Sequence, residues 1–177
     1  MKIISLHLKN LNSLVGDWSI DFSEPSYADY GFFAITGPTG AGKSTILDGI
    51  CLALYGKTPR LKRISDSTND IMSTNTGECL AEVVFTTEKG KFRSRWYQKR
   101  AYSRPDGKLQ TPVRELSHAD TSQLIETKIK EIETLVEEYT GMDFERFTRT
   151  MLLAQGGFTA FLLAPVQDRA NILEEIT

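Results

Sequence analysis

A chain of 177 residues, with 40% apolar and 25% charged side chains, has room for one domain with its own hydrophobic core. No run of about twenty apolar residues suits a membrane span, and the opening MKIISLHLKN alternates polar with apolar where a signal peptide would be continuously apolar. The net charge of −2 conceals an asymmetry: Lys89 to Arg114 holds nine Lys/Arg against Asp106 alone, and Glu115 to Glu145 holds nine Asp/Glu against Lys128 and Lys130.

Ile4, Leu6 and Leu8 share one face of a first strand, and Trp18, Ile20 and Phe22 one face of a second. Residues 2–9 and 17–23 are therefore expected to pair, with 10–16 connecting them. Phe32 to Thr36 is apolar without alternation, as in a strand buried on both faces. Ser44 to Tyr55 places Ile46, Leu47, Ile50 and Leu54 on one helical face, and Gly56 suits its end. Residues 57–78 read as loop, with at most a short helix at Asn69–Ser73. Cys79–Thr87 and Lys91–Tyr102 are rich in β-formers and predict strands, followed by a turn at Arg104-Pro105-Asp106-Gly107. Ser122–Tyr139 returns to a helical period, and Asp143 is placed to cap a helix carrying Phe144, Phe147 and Met151. A last helix begins at Pro165 and meets no stop signal before Thr177, so the chain is expected to continue. Cys51 and Cys79, without a secretory signal, read as reduced thiols of a cytoplasmic protein. His7 and His118 lack companions at ligand spacing; His7 is expected to point outward from the first strand.

The segment Gly37-Pro38-Thr39-Gly40-Ala41-Gly42-Lys43-Ser44, continued by Thr45, fits G-x-x-x-x-G-K-[ST] at every fixed position. Glycines let several backbone N–H groups turn inward with no side chain between them and a phosphate. The helix that follows adds unpaired N–H groups and a positive dipole end. Lys43 reaches the β- and γ-phosphates, and the Ser44 hydroxyl enters the shell of a Mg²⁺ ion. Binding of ATP or GTP follows. Phosphoryl transfer also needs an acid for the metal, normally closing a second apolar strand. Ala81-Glu82-Val83-Val84-Phe85 ends in threonines, and Leu135-Val136 before Glu137 belongs to a helical period, so that acid is missing.

The series MKIISLHLKNLNSL, FFAITGPTGAGKSTILDGICLALYG, TPRL, NDIM, ECLAEVVF and FTRTMLLAQGGFTAFL resembles the N-terminal ATPase segment of the SbcC family, along essentially the whole chain. These are SMC-like ABC ATPases of bacterial double-strand-break nucleases. The resemblance implies an α/β P-loop fold, with a mixed sheet plus an antiparallel β layer and a helical region. It implies a lobe over 1–164, and over 165–177 the root of a coiled coil. The missing acid, the catalytic glutamate and the signature loop would come from the C-terminal half of the same head. Gln155 would be the Q-loop glutamine that contacts Mg²⁺ and the attacking water. Implied partners are that C-terminal half, a second head sandwiching two ATP molecules, an SbcD-type metallophosphatase nuclease and double-stranded DNA; the implied site of action is the cytoplasm, at the nucleoid. In archaeal and eukaryotic relatives an arginine after the first strand touches phosphate. This chain has Asn12 there, and Asn12 and Ser13 are retained as nucleotide neighbours.

The basic stretch 89–114 has two readings, a surface along DNA or a solvated strand pair with its aromatics in the core. On the first, Arg95, Lys99, Arg100 and Arg104 contact phosphates without reading sequence. Two rival functions remain. A small P-loop kinase would require a second acid within the chain. A module that holds nucleotide without turning it over would not.

Overall fold

The computed structural model describes residues 1–25, 35–60 and 64–150. The strand expected at 32–36 falls mostly outside them, as do Gln155 and the helix expected from Pro165.

Six strands form one antiparallel sheet among the described residues: β1 (Lys2–Leu11), β2 (Leu14–Asp21), β3 (Glu78–Thr87), β4 (Gly90–Lys99), β5 (Val113–His118) and β6 (Leu124–Glu126), in the spatial order β2-β1-β3-β4-β5-β6. Alternation decides which face is buried. Cys79, Ala81, Val83 and Phe85 of β3 and Phe92, Ser94, Trp96 and Gln98 of β4 turn inward. Their odd neighbours on β4, Arg93, Arg95, Tyr97 and Lys99, stay partly exposed on the other face.

Helix α1 (Lys43–Tyr55) lies on the inner face and is buried on all sides from Asp48 to Tyr55. It stops at Gly56, which takes the left-handed conformation (φ 69°) and returns its N–H to Leu52 O. Helices α2 (Ile129–Thr140) and α3 (Phe144–Thr150) pack on that side among the described residues. Tyr139 of α2 stacks on Phe92 with centroids 4.3 Å apart, and Tyr55 lies 5.8 Å from Phe144 and 5.3 Å from Phe147. Asp143 caps α3 as expected, its Oδ1 accepting from Arg146 N at 2.7 Å.

Three local expectations are corrected. The β1–β2 connection is two residues, Asn12 and Ser13, instead of 10–16; Asn10 and Asn12 accept positive φ (51° and 47°) and so turn the chain early. Asn69–Ser73 is not helical: Asn69 Oδ1 accepts from Ile71 N at 2.9 Å and Met72 N at 2.7 Å, and Met72 bridges to Leu11. An asparagine offering its own side chain to nearby amides competes with helix formation. Residues 124–126 are strand, paired to β5 through Ser117 and Leu116, so the helical period of 122–139 is realised only from Ile129. There a sheet edge outweighs local periodicity.

Both cysteines are free and buried, Cys51 on α1 and Cys79 on β3, and burial pushes each thiol up to about 12. A thiol with that value and no solvent access is almost entirely protonated at neutral pH. Iodoacetamide at pH 8 is expected to label neither cysteine in the folded chain and both after denaturation. Native labelling at the denatured rate, read by mass spectrometry, would contradict this packing.

Candidate functional site: the phosphate loop and its supports

The loop Gly37–Thr45 runs into α1 with no side chain capping the helix. Gly42 occupies the N-cap in a left-handed conformation (φ 89°), and Ile46 N returns the first helical bond to Gly42 O at 3.1 Å. The first-turn N–H groups of Lys43, Ser44 and Thr45 precede that bond and have no helical carbonyl to meet. An anion at the loop would meet these amides and the positive end of the helix together. Gly42 is also needed for space: a Cβ there would lie 2.5 Å from Leu14 Cδ2, so the β1–β2 hairpin rests directly against the loop.

Lys43 folds back over the loop, donating from Nζ to Gly37 O at 2.6 Å and Pro38 O at 2.7 Å. The ammonium is thereby held at the loop's mouth by two neutral carbonyls, contacts that a phosphate can outcompete with its full charge. A cavity of 280 Å³, walled by Leu8, Leu14, Trp18, Ile20, Ile35 and Ile46, adjoins Ala41 and Lys43. Its walls are apolar, so the phosphate grip belongs to the loop amides and Lys43.

The expected site residues fall into three groups. Gly37, Pro38, Thr39, Gly40, Ala41, Gly42, Lys43, Ser44 and Thr45 come together as one loop and helix start, and Thr45 is buried. Asn12 and Ser13 form the hairpin tip, next in sequence to the Leu14 that touches Gly42. The tip is pinned by Asn12 N to Ile71 O at 2.7 Å and Ser73 Oγ to Asn12 O at 2.8 Å. Arg95, Lys99, Arg100 and Arg104 lie away from the loop, on the outer face of β4 and the connector beyond it. Within that set Arg95 is already answered, 3.6 Å from Glu115 and 3.9 Å from Glu82. The outer face of β1 and β2 holds His7, whose Nε2 lies 3.0 Å from Asp17 Oδ1; this contact keeps the Asp17 carboxyl below its usual range.

Two supports of α1 were not singled out from the sequence. Asp48, the only carboxylate of α1, is buried and paired with Arg60, whose Nε donates to Oδ2 at 3.1 Å and Oδ1 at 3.3 Å while a terminal nitrogen also meets Oδ2. A carboxylate inside the apolar run ILDGICLAL was the available signal, since such a group needs a cation. At the other end Arg114 is 1% exposed and donates from Nη2 to Leu54 O at 2.6 Å. It is the mirror of an N-terminal anion site: a guanidinium against the carbonyl end of the helix. Burial lowers its pKa to about 10, which leaves it cationic at neutral pH. Its place two residues before the buried Leu116 on β5 was the signal that it points inward.

A family model described as an AAA domain matches residues 5–177. The SbcC component of the SbcCD nuclease from Pseudomonas aeruginosa is 42% identical, over 100% of this chain and 16% of the relative. A probable DNA double-strand break repair Rad50 ATPase from Aquifex aeolicus is 31% identical, over 92% of this chain and 15% of the relative. The chain thus spans 16% and 15% of the length of these curated relatives. A solved chain, described by the ATP-driven dimerization and DNA-stimulated activation of SMC ATPases, superposes with a TM-score of 0.63 at 23% identity, covering both chains in full. The fold is accordingly that of an SMC ATPase.

Proposed function

Because the chain belongs to the AAA domain family, we propose that it is the ATP-binding half of an SMC-like ATPase head that controls a DNA-break nuclease. The observation that carries this reading is the uncapped start of α1, with Lys43 held over a loop that satisfies the phosphate motif throughout. Lys43 exchanges its two carbonyl partners for the β- and γ-phosphates, and the first-turn amides take the remaining phosphate oxygens. Ser44 and Gln155 would hold Mg²⁺, which would neutralise phosphate charge. Gln155 also aligns water by donating or accepting through its amide. Asn12 and Ser13, beside the loop, contact the nucleotide.

The acid that completes hydrolysis comes from the C-terminal half of the head. Asp48 does not substitute for it, since Arg60 already engages both of its oxygens. ATP held between two such heads joins them, and hydrolysis opens them. A metallophosphatase of the SbcD type cuts the DNA, and Lys99, Arg100 and Arg104, with a smaller share from Arg95, hold double-stranded DNA phosphates. The cytoplasmic nucleoid as the place of action belongs to the same reading; no described helix is long and apolar enough to cross a membrane. For this chain by itself, holding nucleotide without turnover is the expected behaviour.

The test is ATP hydrolysis by this chain alone, and after mixing with the matching C-terminal half. Turnover is expected only on mixing, and Lys43→Ala is expected to lower it by about 100-fold or more, as for loss of a transition-state cation or donor. Lys43-dependent turnover by the 177 residues alone would mean that the site is complete without a second half, and the proposal would fail.

A further inference from the structure

The basic stretch contains three aromatic residues besides Phe92, and they have different fates. Trp96 is 2% exposed in the core. Tyr97 is half-buried on the outer face, with the Arg95 guanidinium 5.6 Å from its ring centre. Tyr102 is 93% exposed. It sits in a single 3-10 turn, Ala101–Ser103, at the start of the β4–β5 connector, and both Tyr102 (φ 57°) and Ser103 (φ 52°) are left-handed. Neither residue tolerates that backbone as glycine does, so the surroundings must hold it there.

They do so from several sides. Arg100 N donates to Gly77 O at 2.7 Å, Ala101 N to Lys108 O at 2.8 Å, and Ser103 N to Arg100 O at 2.9 Å. Ser103 Oγ donates to Glu78 Oε2 at 3.2 Å, and the Arg100 guanidinium to Gly107 O at 3.2 Å. An aromatic ring is thus displayed in solvent on a fixed backbone. Around it, among the described residues, Lys99, Arg100, Arg104 and Lys108 outnumber two acids: Asp106, 3.9 Å from Arg104 with both side chains mostly in water, and Glu78, opposite Lys99 on β3 and already paired with Lys9 at 2.8 Å.

A fixed, exposed ring among cations is the arrangement by which proteins bind unpaired nucleotides. The ring takes a base face and the cations take the flanking phosphates, whatever the sequence. A continuous duplex offers the cations the same phosphates but keeps its bases stacked on one another. We infer that Tyr102 is a stacking point for an unpaired base, so that this surface favours DNA with single-stranded or frayed ends over blunt duplex. The inference rests on the DNA-binding reading above and adds the form of DNA preferred.

Binding of this chain, and of the head reconstituted with its C-terminal half, is measured over a salt series. The probes are a fluorescent blunt duplex, the same duplex with a single-stranded overhang, and oligo(dT). Tyr102→Ala is expected to weaken the overhang and oligo(dT) by about 5- to 100-fold, the range for loss of one stacked base. The blunt duplex should stay within about twofold and the salt slopes unchanged, and Tyr102→Phe should bind as the parent does. A Lys99/Arg104/Lys108→Gln triple variant should instead flatten the salt slope for all three probes. Equal effects of Tyr102→Ala on all probes, or none, would overturn the stacking role while a flattened triple-variant slope upheld the DNA surface. No measurable DNA binding by the parent, or an unaltered slope in the triple variant, would overturn the DNA reading and this inference with it. Loss of nuclease assembly in Tyr102→Ala with DNA binding intact would make the ring a protein contact and likewise overturn it.

Discussion

Alanine at position 77 is expected to lower the stability of the chain by about 3 kcal/mol or more, in the range of severe overpacking. A Cβ on Gly77 would stand 1.8 Å from Ser103 O, 2.2 Å from Ser103 C and 2.8 Å from Arg104 N. All three are backbone atoms, so no side chain can swing aside. The connector would have to lift away, breaking the Arg100 N to Gly77 O bond and releasing two left-handed residues that relax once unsupported. For a chain of this size the melting point should fall by about 6–12 °C, with new protease cleavage between 100 and 108. A melting point within about a degree of the parent would show that the connector does not pack on Gly77.

Arg114→Ala is expected to cost about 3–4 kcal/mol, read by urea denaturation. The substitution removes a large buried side chain and strips Leu54 O of its 2.6 Å donor at the end of α1. Arg114→Met should recover part of the loss, because it refills the volume and removes a charge that no carboxylate among the described residues hydrogen-bonds. A loss below about 1 kcal/mol for alanine would mean that water replaces the guanidinium there. The pH dependence has a definite sign. Burial brings Arg114 down to about 10 in the folded chain, below the ordinary guanidinium value. The unfolded chain therefore binds more protons only between those values, and stability from this group rises with pH across that window and is flat below it.

How legible these features were in the sequence depended on whether a residue type has one structural use or several. The phosphate loop was legible because glycine, lysine and serine at fixed spacing ahead of an apolar helix serve few other ends. On β4 a period of two puts Trp96 and Arg95 on opposite faces, and the first is buried while the second stays partly exposed. Arg114 was not legible by composition: counted as the last cation of a basic stretch, it is the one that never reaches solvent. Leu124 and Ile125 satisfied a helical period yet joined the sheet edge, because pairing with β5 is a long-range condition that local spacing does not encode. Gly77 carried no signal at all, since its constraint is set by Ser103, distant in sequence. The Gln155 assignment came from resemblance and falls outside the described residues.

The way α1 is fastened at both ends has a mechanical consequence. Its first turn faces the phosphate loop. Its far end is tied to β4 through Ser94 Oγ on Ala53 O (2.7 Å), to β5 through Arg114, and to the link between α2 and α3 through Tyr55 OH on Met142 O (3.0 Å). Thirteen residues of helix make a rod of about 20 Å, buried and without slack. A rod so anchored cannot shift at one end only. A push of an ångström where nucleotide is gripped would arrive, little diminished, at the joint where the sheet meets the link between α2 and α3.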